Sequence, residues 1–132
     1  VGLVFEVVPQ KTATLFPDYT KTLHAWFLDQ VRSHDPQLST SLHDEESKKP
    51  FTISGLDGKM DTTTGGQLQL LSDQTYYWTV TAFSPTVVQW LGHWLGQLPP
   101  TIELRFAPLQ ILSVAFALPP TTYAQLYQAE IA

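Results

Sequence analysis

The sequence predicts an α+β domain in which one antiparallel sheet carries its helices on a single face. Three observations support this. Stretches with a two-residue apolar period alternate with stretches whose period lengthens to between three and four residues. The later helical stretches open on Asp35-Pro36 and Ser84-Pro85, an N-cap residue followed by proline at the first helical position. Prolines at Pro9, Pro99-Pro100 and Pro119-Pro120 fall where segments end. The 132 residues are one domain's worth, enough to enclose a core.

Gly2 to Pro9 reads as the first strand, with Leu3, Phe5 and Val7 on one face and Val4, Glu6 and Val8 on the other. Both faces are largely apolar, which suits a central strand. From Pro17 to Ser33 the period changes. Leu23, Trp26, Phe27 and Val31 fall at i, i+3, i+4 and i+8, the stripe of an amphipathic helix. Asp35-Pro36 then starts a short second helix to about Leu42, burying Leu38 and Leu42 and placing His43 at its C-terminal end. Phe51 to Ser54 is a short strand, and Asp57 to Gln69 a polar loop or a loose, edge-like hairpin.

Gln74 to Phe83 is the clearest strand. Tyr76, Trp78, Val80 and Ala82 alternate with Tyr77, Thr79, Thr81 and Phe83. Ser84-Pro85 opens a helix whose buried stripe reads as Val88, Leu91, Leu95 and Leu98, flanked by Val87 and Trp94. Ile102 to Phe106 and Leu109 to Leu118 follow as two strands broken at Ala107-Pro108, a hairpin or one bulged strand. The order strand, helix, strand, strand, helix, strand is the ferredoxin-like (RRM-like) split β-α-β arrangement. The domain is expected to span 1–118. Residues 119–132 read as the start of a linker to a second domain absent from this chain.

Composition narrows the class. Hydrophobic residues make up 43% of a chain with mean hydropathy near zero, the mark of a globular domain in water. No apolar run approaches the roughly 18 residues of a membrane span, and no leader pattern stands at the start. With no cysteine there is neither a disulfide framework nor a thiolate metal site. A cytoplasmic location and no membrane partner are the expectations.

The chemistry is concentrated in one place. From His43 to Lys49, a histidine, three carboxylates and two lysines stand within seven residues of a chain that is 14% charged. An imidazole there can act as general acid or base near neutral pH, and Lys49 or Lys48 can offset developing negative charge. The plain alternatives are a surface histidine at a frayed helix end and lysines balancing an acidic turn. A hard-metal site on Asp44, Glu45, Glu46 and His43 is disfavoured, because consecutive turn residues rarely converge on one ion and two lysines stand beside them. His24, His34 and His93 read as structural. The tryptophans and Tyr76 read as core rather than as base-stacking platforms, with Tyr77 the best stacking candidate. No Ser/His/Asp, Walker or Rossmann pattern is present.

Leu42-His43, the acidic turn, the lysines and Pro50-Phe51-Thr52-Ile53-Ser54 together resemble a segment of the CRISPR-associated repeat-RNA endoribonucleases of Cas family six. Val8-Pro9, Asp35-Pro36, Tyr76-Tyr77-Trp78 and Ser84-Pro85 fit the same family in the same order. The resemblance implies the N-terminal half of a two-domain enzyme, whose second domain carries a glycine-rich loop cradling RNA. It implies metal-independent cleavage of precursor crRNA by the RNA's own 2′-hydroxyl, leaving a 2′,3′-cyclic phosphate. Carried over by motif, His43 is the general acid or base, Lys49 stabilises the phosphorane and Lys48 is a neighbouring RNA contact. The family's tyrosine position holds Leu28.

No cofactor and no metal are implied. Repeat RNA is the expected partner, with other Cas proteins and a second copy of the chain as further candidates. A net charge of −5 implies that this piece binds RNA weakly, or that the basic surface lies on a part not present here. Two other readings stand beside this one: a non-catalytic ferredoxin-like module of a CRISPR ribonucleoprotein, and an unrelated small-molecule-binding α+β domain.

Overall fold

A computed structural model of the protein describes residues 1–44, 50–104 and 107–117. The predicted domain end at 118 and the linker at 119–132 lie outside the described residues. The elements run β1 (Gly2–Pro9), β2 (Ala13–Thr14), α1 (Tyr19–His34), α2 (Pro36–Asp44), β3 (Phe51–Ile53), β4 (Met60–Thr62), β5 (Leu68–Leu70) and β6 (Tyr76–Ala82). They continue as α3 (Pro85–Leu95), β7 (Thr101–Leu104) and β8 (Ala107–Ala117).

The main sheet has the order β3-β6-β1-β8-β7 with every neighbouring pair antiparallel. Four of its strands, β3-β6-β1-β8, are the ferredoxin-like core expected from the element order. β7 is a fifth strand added at the edge. The pairing of Leu104 with Ala107 makes β7 and β8 an antiparallel hairpin, with Ala107 and Pro108 inside β8 rather than at a break between the strands. Pro108 is tolerated because the ladder between β8 and β1 begins only at Leu109.

β1 is central, as its two apolar faces imply. Leu3, Phe5 and Val7 are fully buried, while Val4, Glu6 and Val8 are half-buried on the other side. Where Glu6 faces Ser113 and Val7 faces Ile111, Leu112 is an extra residue in β8. This bulge keeps both Ile111 and Val114 opposite buried residues of β1, which is why β8 lacks a clean alternation in sequence.

Both long helices cover the same face. Trp26 of α1 meets Trp78 of β6 edge-on at 5.9 Å, Trp94 of α3 meets Phe5 of β1 at 5.5 Å, and the two helices touch through Trp26 and Trp94 at 6.0 Å. Between the helices, Trp94 Nε1 donates to Gln30 Oε1 at 3.1 Å. The caps form where the sequence places them. Asp35 Oδ1 accepts from Leu38 N at 3.0 Å, and Ser84 Oγ accepts from Val87 N at 3.2 Å.

The buried stripe of α3 differs from expectation. It is Val87, Trp90, Leu91 and Trp94, while Val88, Leu95 and Leu98 are only half-buried. Turning the helix by one residue puts two indoles inside, and each buries more apolar area than a leucine. The stretch expected to be a polar loop or hairpin is the β4–β5 hairpin, and β2 pairs with β5 to make a small second sheet ordered β2-β5-β4. Tyr76 ties this sheet to the main one, its hydroxyl donating to the Lys59 carbonyl and accepting from Leu71 N.

Phe5→Ala should cost about 3–5 kcal/mol in urea unfolding, the usual range for emptying a packed aromatic site. Thr52→Ala, at an exposed position of β3, should cost under about 1 kcal/mol. Equal costs would show that the centre of β1 is not the packing centre of the fold.

Candidate active site

The cap at Asp35 sets the register of α2 and carries His43 into its last turn, as the sequence predicts. The side chain of His43 and residues 45–49, Lys48 and Lys49 among them, lie outside the described residues. What the structure fixes is the frame on either side of that turn.

The chain re-enters the sheet at Pro50, whose carbonyl accepts from Phe83 N at 2.7 Å, and Phe51 then pairs with Ala82. β3 is an edge strand of the main sheet, and α1 clamps it at both ends. At its start, Phe51 packs against Phe27 with centroids 5.1 Å apart and lies nearly parallel to the His24 ring, at 5.5 Å and 17°. Beyond its end, Leu56 N donates to the Tyr19 hydroxyl at 3.3 Å. Gly55 passes so close that a Cβ there would stand 2.6 Å from the Tyr19 hydroxyl oxygen. Leu28, at the position matched to the family's tyrosine, is half-buried against the core.

His24 belongs to this frame, as its structural reading implies. It is exposed, yet its ring is stacked on the residue that follows Pro50. The signal was available, since His24, Phe27 and Leu28 stand at i, i+3 and i+4 and share one flank of α1.

His34 and His93 lie elsewhere. His34 Nδ1 is 2.9 Å from the Gln30 carbonyl, and its ring meets Trp90 edge-on at 6.3 Å. Both histidines, with Asp35, Trp90, Trp94 and Gln97, line a cavity of about 260 Å³ where α1 and α3 end. Among the described residues, no group of three or more His, Cys, Asp or Glu could hold a metal. No described helix is long and apolar enough to cross a membrane. Trp26, Trp78, Trp90, Trp94 and Tyr76 are buried core, as expected, whereas Tyr77 is 44% exposed on the open face of the sheet. There it stands opposite Glu6.

The family model of the CRISPR Cas6 N-terminal domain matches residues 1–128. The chain belongs to this family. Solved structures agree on the fold of this Cas6 N-terminal domain. One, described as a RAMP protein binding different RNA substrates, superposes with a TM-score of 0.68 at 14% identity, over 91% of this chain and 50% of that one. A Cas6-related protein from Pyrococcus furiosus gives 0.65 at 10% identity, over 89% and 49%. A Cas6 product complex gives 0.55 at 23% identity, over 86% and 39%. At such identities these likenesses show the fold alone. The chain spans half or less of the length of these structures. No curated protein matches it.

The clamp on β3 is testable by a double-mutant cycle. Gly55→Ala should destabilise the domain by about 1–3 kcal/mol through overpacking against Tyr19, and Tyr19→Phe by about 0.5–1.5 kcal/mol through one lost hydrogen bond. Together they should cost less than their sum, because the phenylalanine removes the oxygen that the new methyl meets. Strict additivity in urea unfolding would show that α1 and the end of β3 are not coupled.

Proposed function

We propose that this chain is the N-terminal half of a metal-independent CRISPR repeat-RNA endoribonuclease that cleaves precursor crRNA. The family match over residues 1–128 carries this reading. A neighbour described as binding different RNA substrates and another described as a product complex support it. Family membership leaves the unrelated small-molecule-binding reading without support.

In this mechanism the RNA's own 2′-hydroxyl attacks the adjacent phosphorus. A base takes the 2′ proton, the 2′-O–P bond forms, the P–O5′ bond breaks, and an acid protonates the departing 5′-oxygen. The products are a 2′,3′-cyclic phosphate and a free 5′-hydroxyl. His43 is the general acid or base, Lys49 offsets charge on the phosphorane, and Lys48 contacts the RNA backbone. Most phosphate contacts fall to the remainder of the protein, because this chain carries a net charge of −5. One observation favours a second reading, a non-catalytic RNA-binding module: the half-buried Leu28 supplies no hydroxyl where the family's tyrosine would stand.

His43→Ala in the full-length protein should lower cleavage of repeat RNA by about 10²–10⁴-fold with little change in affinity, and Lys49→Ala should cost less. Cleavage should survive EDTA and fail on RNA with a 2′-deoxy sugar at the scissile nucleotide. A wild-type rate in His43→Ala together with sensitivity to EDTA would overturn the mechanism. Tight binding without any cleavage would favour the non-catalytic module. The chain by itself should bind repeat RNA only weakly at physiological salt, and sub-micromolar binding would place a complete RNA site within it.

A further inference from the structure

We propose that the cavity where α1 and α3 end is a binding site for a guanidinium group, separate from the cleavage chemistry above. His34, Asp35, Trp90, His93, Trp94 and Gln97 line a space of about 260 Å³. Two indoles make its apolar wall. Trp90 stacks on Trp94 at 5.1 Å and 22°, and Trp94 is held in turn by its bond to Gln30. A carboxylate, an amide and two imidazoles make the rest. An apolar wall with a few convergent polar groups is the usual composition of a small-ligand site.

The sign of the ligand follows from the charges that face this space. Among the described residues that line it there is no lysine or arginine, and Asp35 carries the one formal charge while the imidazoles are neutral. α1 ends here with the negative pole of its dipole, but α2 starts at Pro36 with a positive one, and the two offset each other. α3 ends at Leu95 and is followed by a strand, so its negative pole adds to the carboxylate. Both repel an anion. A metal ion is disfavoured as well, since among the described residues no group of three or more His, Cys, Asp or Glu could hold one. An organic cation fits.

The acceptors select guanidinium among such cations. His34 Nδ1 lies 2.9 Å from the Gln30 carbonyl, which can only accept, so in the neutral ring Nδ1 carries the proton and Nε2 is left as an acceptor. Asp35 Oδ1 is taken by Leu38 N, and the second carboxylate oxygen serves an outside donor. Gln97 adds an amide oxygen to the lining. A guanidinium brings five N–H donors in one plane and is weakly enough hydrated to lie against an indole. An ammonium is compact and strongly hydrated, and suits an aromatic wall less well. Free arginine and an arginine side chain of a protein partner present the same group.

The test is an NMR titration of the full-length protein, labelled in its histidine rings, at about pH 8, where imidazole is ordinarily neutral. The probes are N-acetyl-arginine methylamide, free arginine, and the citrulline form of the blocked compound, which keeps its shape and loses its charge. The His34 and His93 signals, assigned with His34→Gln and His93→Gln, should shift saturably with the blocked arginine at about millimolar concentrations, while the His24 signal stays in place. The citrulline form should bind at least about tenfold more weakly. Asp35→Asn should also weaken binding about tenfold or more, and it separates charge from folding, because asparagine still caps α2. Asp61→Asn, the same charge change on the small second sheet, should leave the affinity within about twofold. Tighter binding of free arginine would mark a metabolite as the ligand, and tighter binding of the blocked form an arginine of a protein partner; either supports the site. The absence of a saturable shift, equal binding of the citrulline form, or wild-type affinity in Asp35→Asn would overturn the proposal.

Discussion

A chain of aromatic contacts joins the centre of the sheet to its β3 edge. Phe5 on β1 touches Trp78 at 5.0 Å and Trp94 at 5.5 Å; Trp94 touches Phe27 at 5.6 Å; Phe27 touches Phe51 at 5.1 Å; and Phe51 carries His24. Each aromatic pair contributes about 0.5–1.5 kcal/mol beyond the area it buries. The rings are also stiff, so a displacement at one end is passed on rather than absorbed. α1 packs on α2 and reaches β7 at the far edge of the sheet as well as β3 at the near one. Its placement therefore sets the position of β3, and β3 is the strand that follows the His43–Lys49 turn. The core and β3 form one mechanical unit.

The open face of the sheet has a different character. Val4, Glu6 and Val8 of β1, Tyr77, Thr79 and Thr81 of β6, Thr52 of β3, and Glu103 and Ser113 of the β7–β8 hairpin point that way by register. These positions include carboxylates and no cation, and Ser113 donates to Glu6 Oε1 at 2.8 Å. Among these described positions a phosphate backbone finds no counter-charge. Tyr77 keeps an accessible ring, but it lies opposite Glu6, and its backbone N–H and carbonyl are both bonded to Asp57. Lys48 and Lys49 precede β3 in the chain, and β3 is the edge strand that α1 supports.

What the sequence showed, and what it hid, follows from the range of each interaction. Strand β1, helix α1, the caps at Asp35 and Ser84 and the aromatic strand β6 depend on neighbours within a turn or a pleat, so their pattern is visible in the chain. The rotation of α3 is not local. Val88, Leu91 and Leu95 make as good a stripe as Val87, Leu91 and Trp94 until Phe5 and Phe27 are present to receive the indoles. β2 spans two residues, too few for any period, and exists because β5 offers it an edge. The bulge at Leu112 is likewise set by the partner strand, since it appears only against Val7 and Glu6. For the site, the sequence pointed to the charged turn, where the titratable groups are adjacent in the chain. It passed over His24, whose importance comes from a contact made across 27 residues.

The relation between His24 and Leu28 is the last step. On a helix, side chains four residues apart overlie one another, and each leans toward the N-terminus. A long side chain at position 28 would therefore cover surface over the turn that bears His24. Leu28 is too short to extend past the core edge and turns inward, half-buried among apolar neighbours. That leaves the flank beside Phe51 to the imidazole, which settles on the phenyl ring. A longer side chain at 28 and a stacked histidine at 24 would compete for one surface. In this chain, the flank of α1 that lies against Phe51 presents an imidazole.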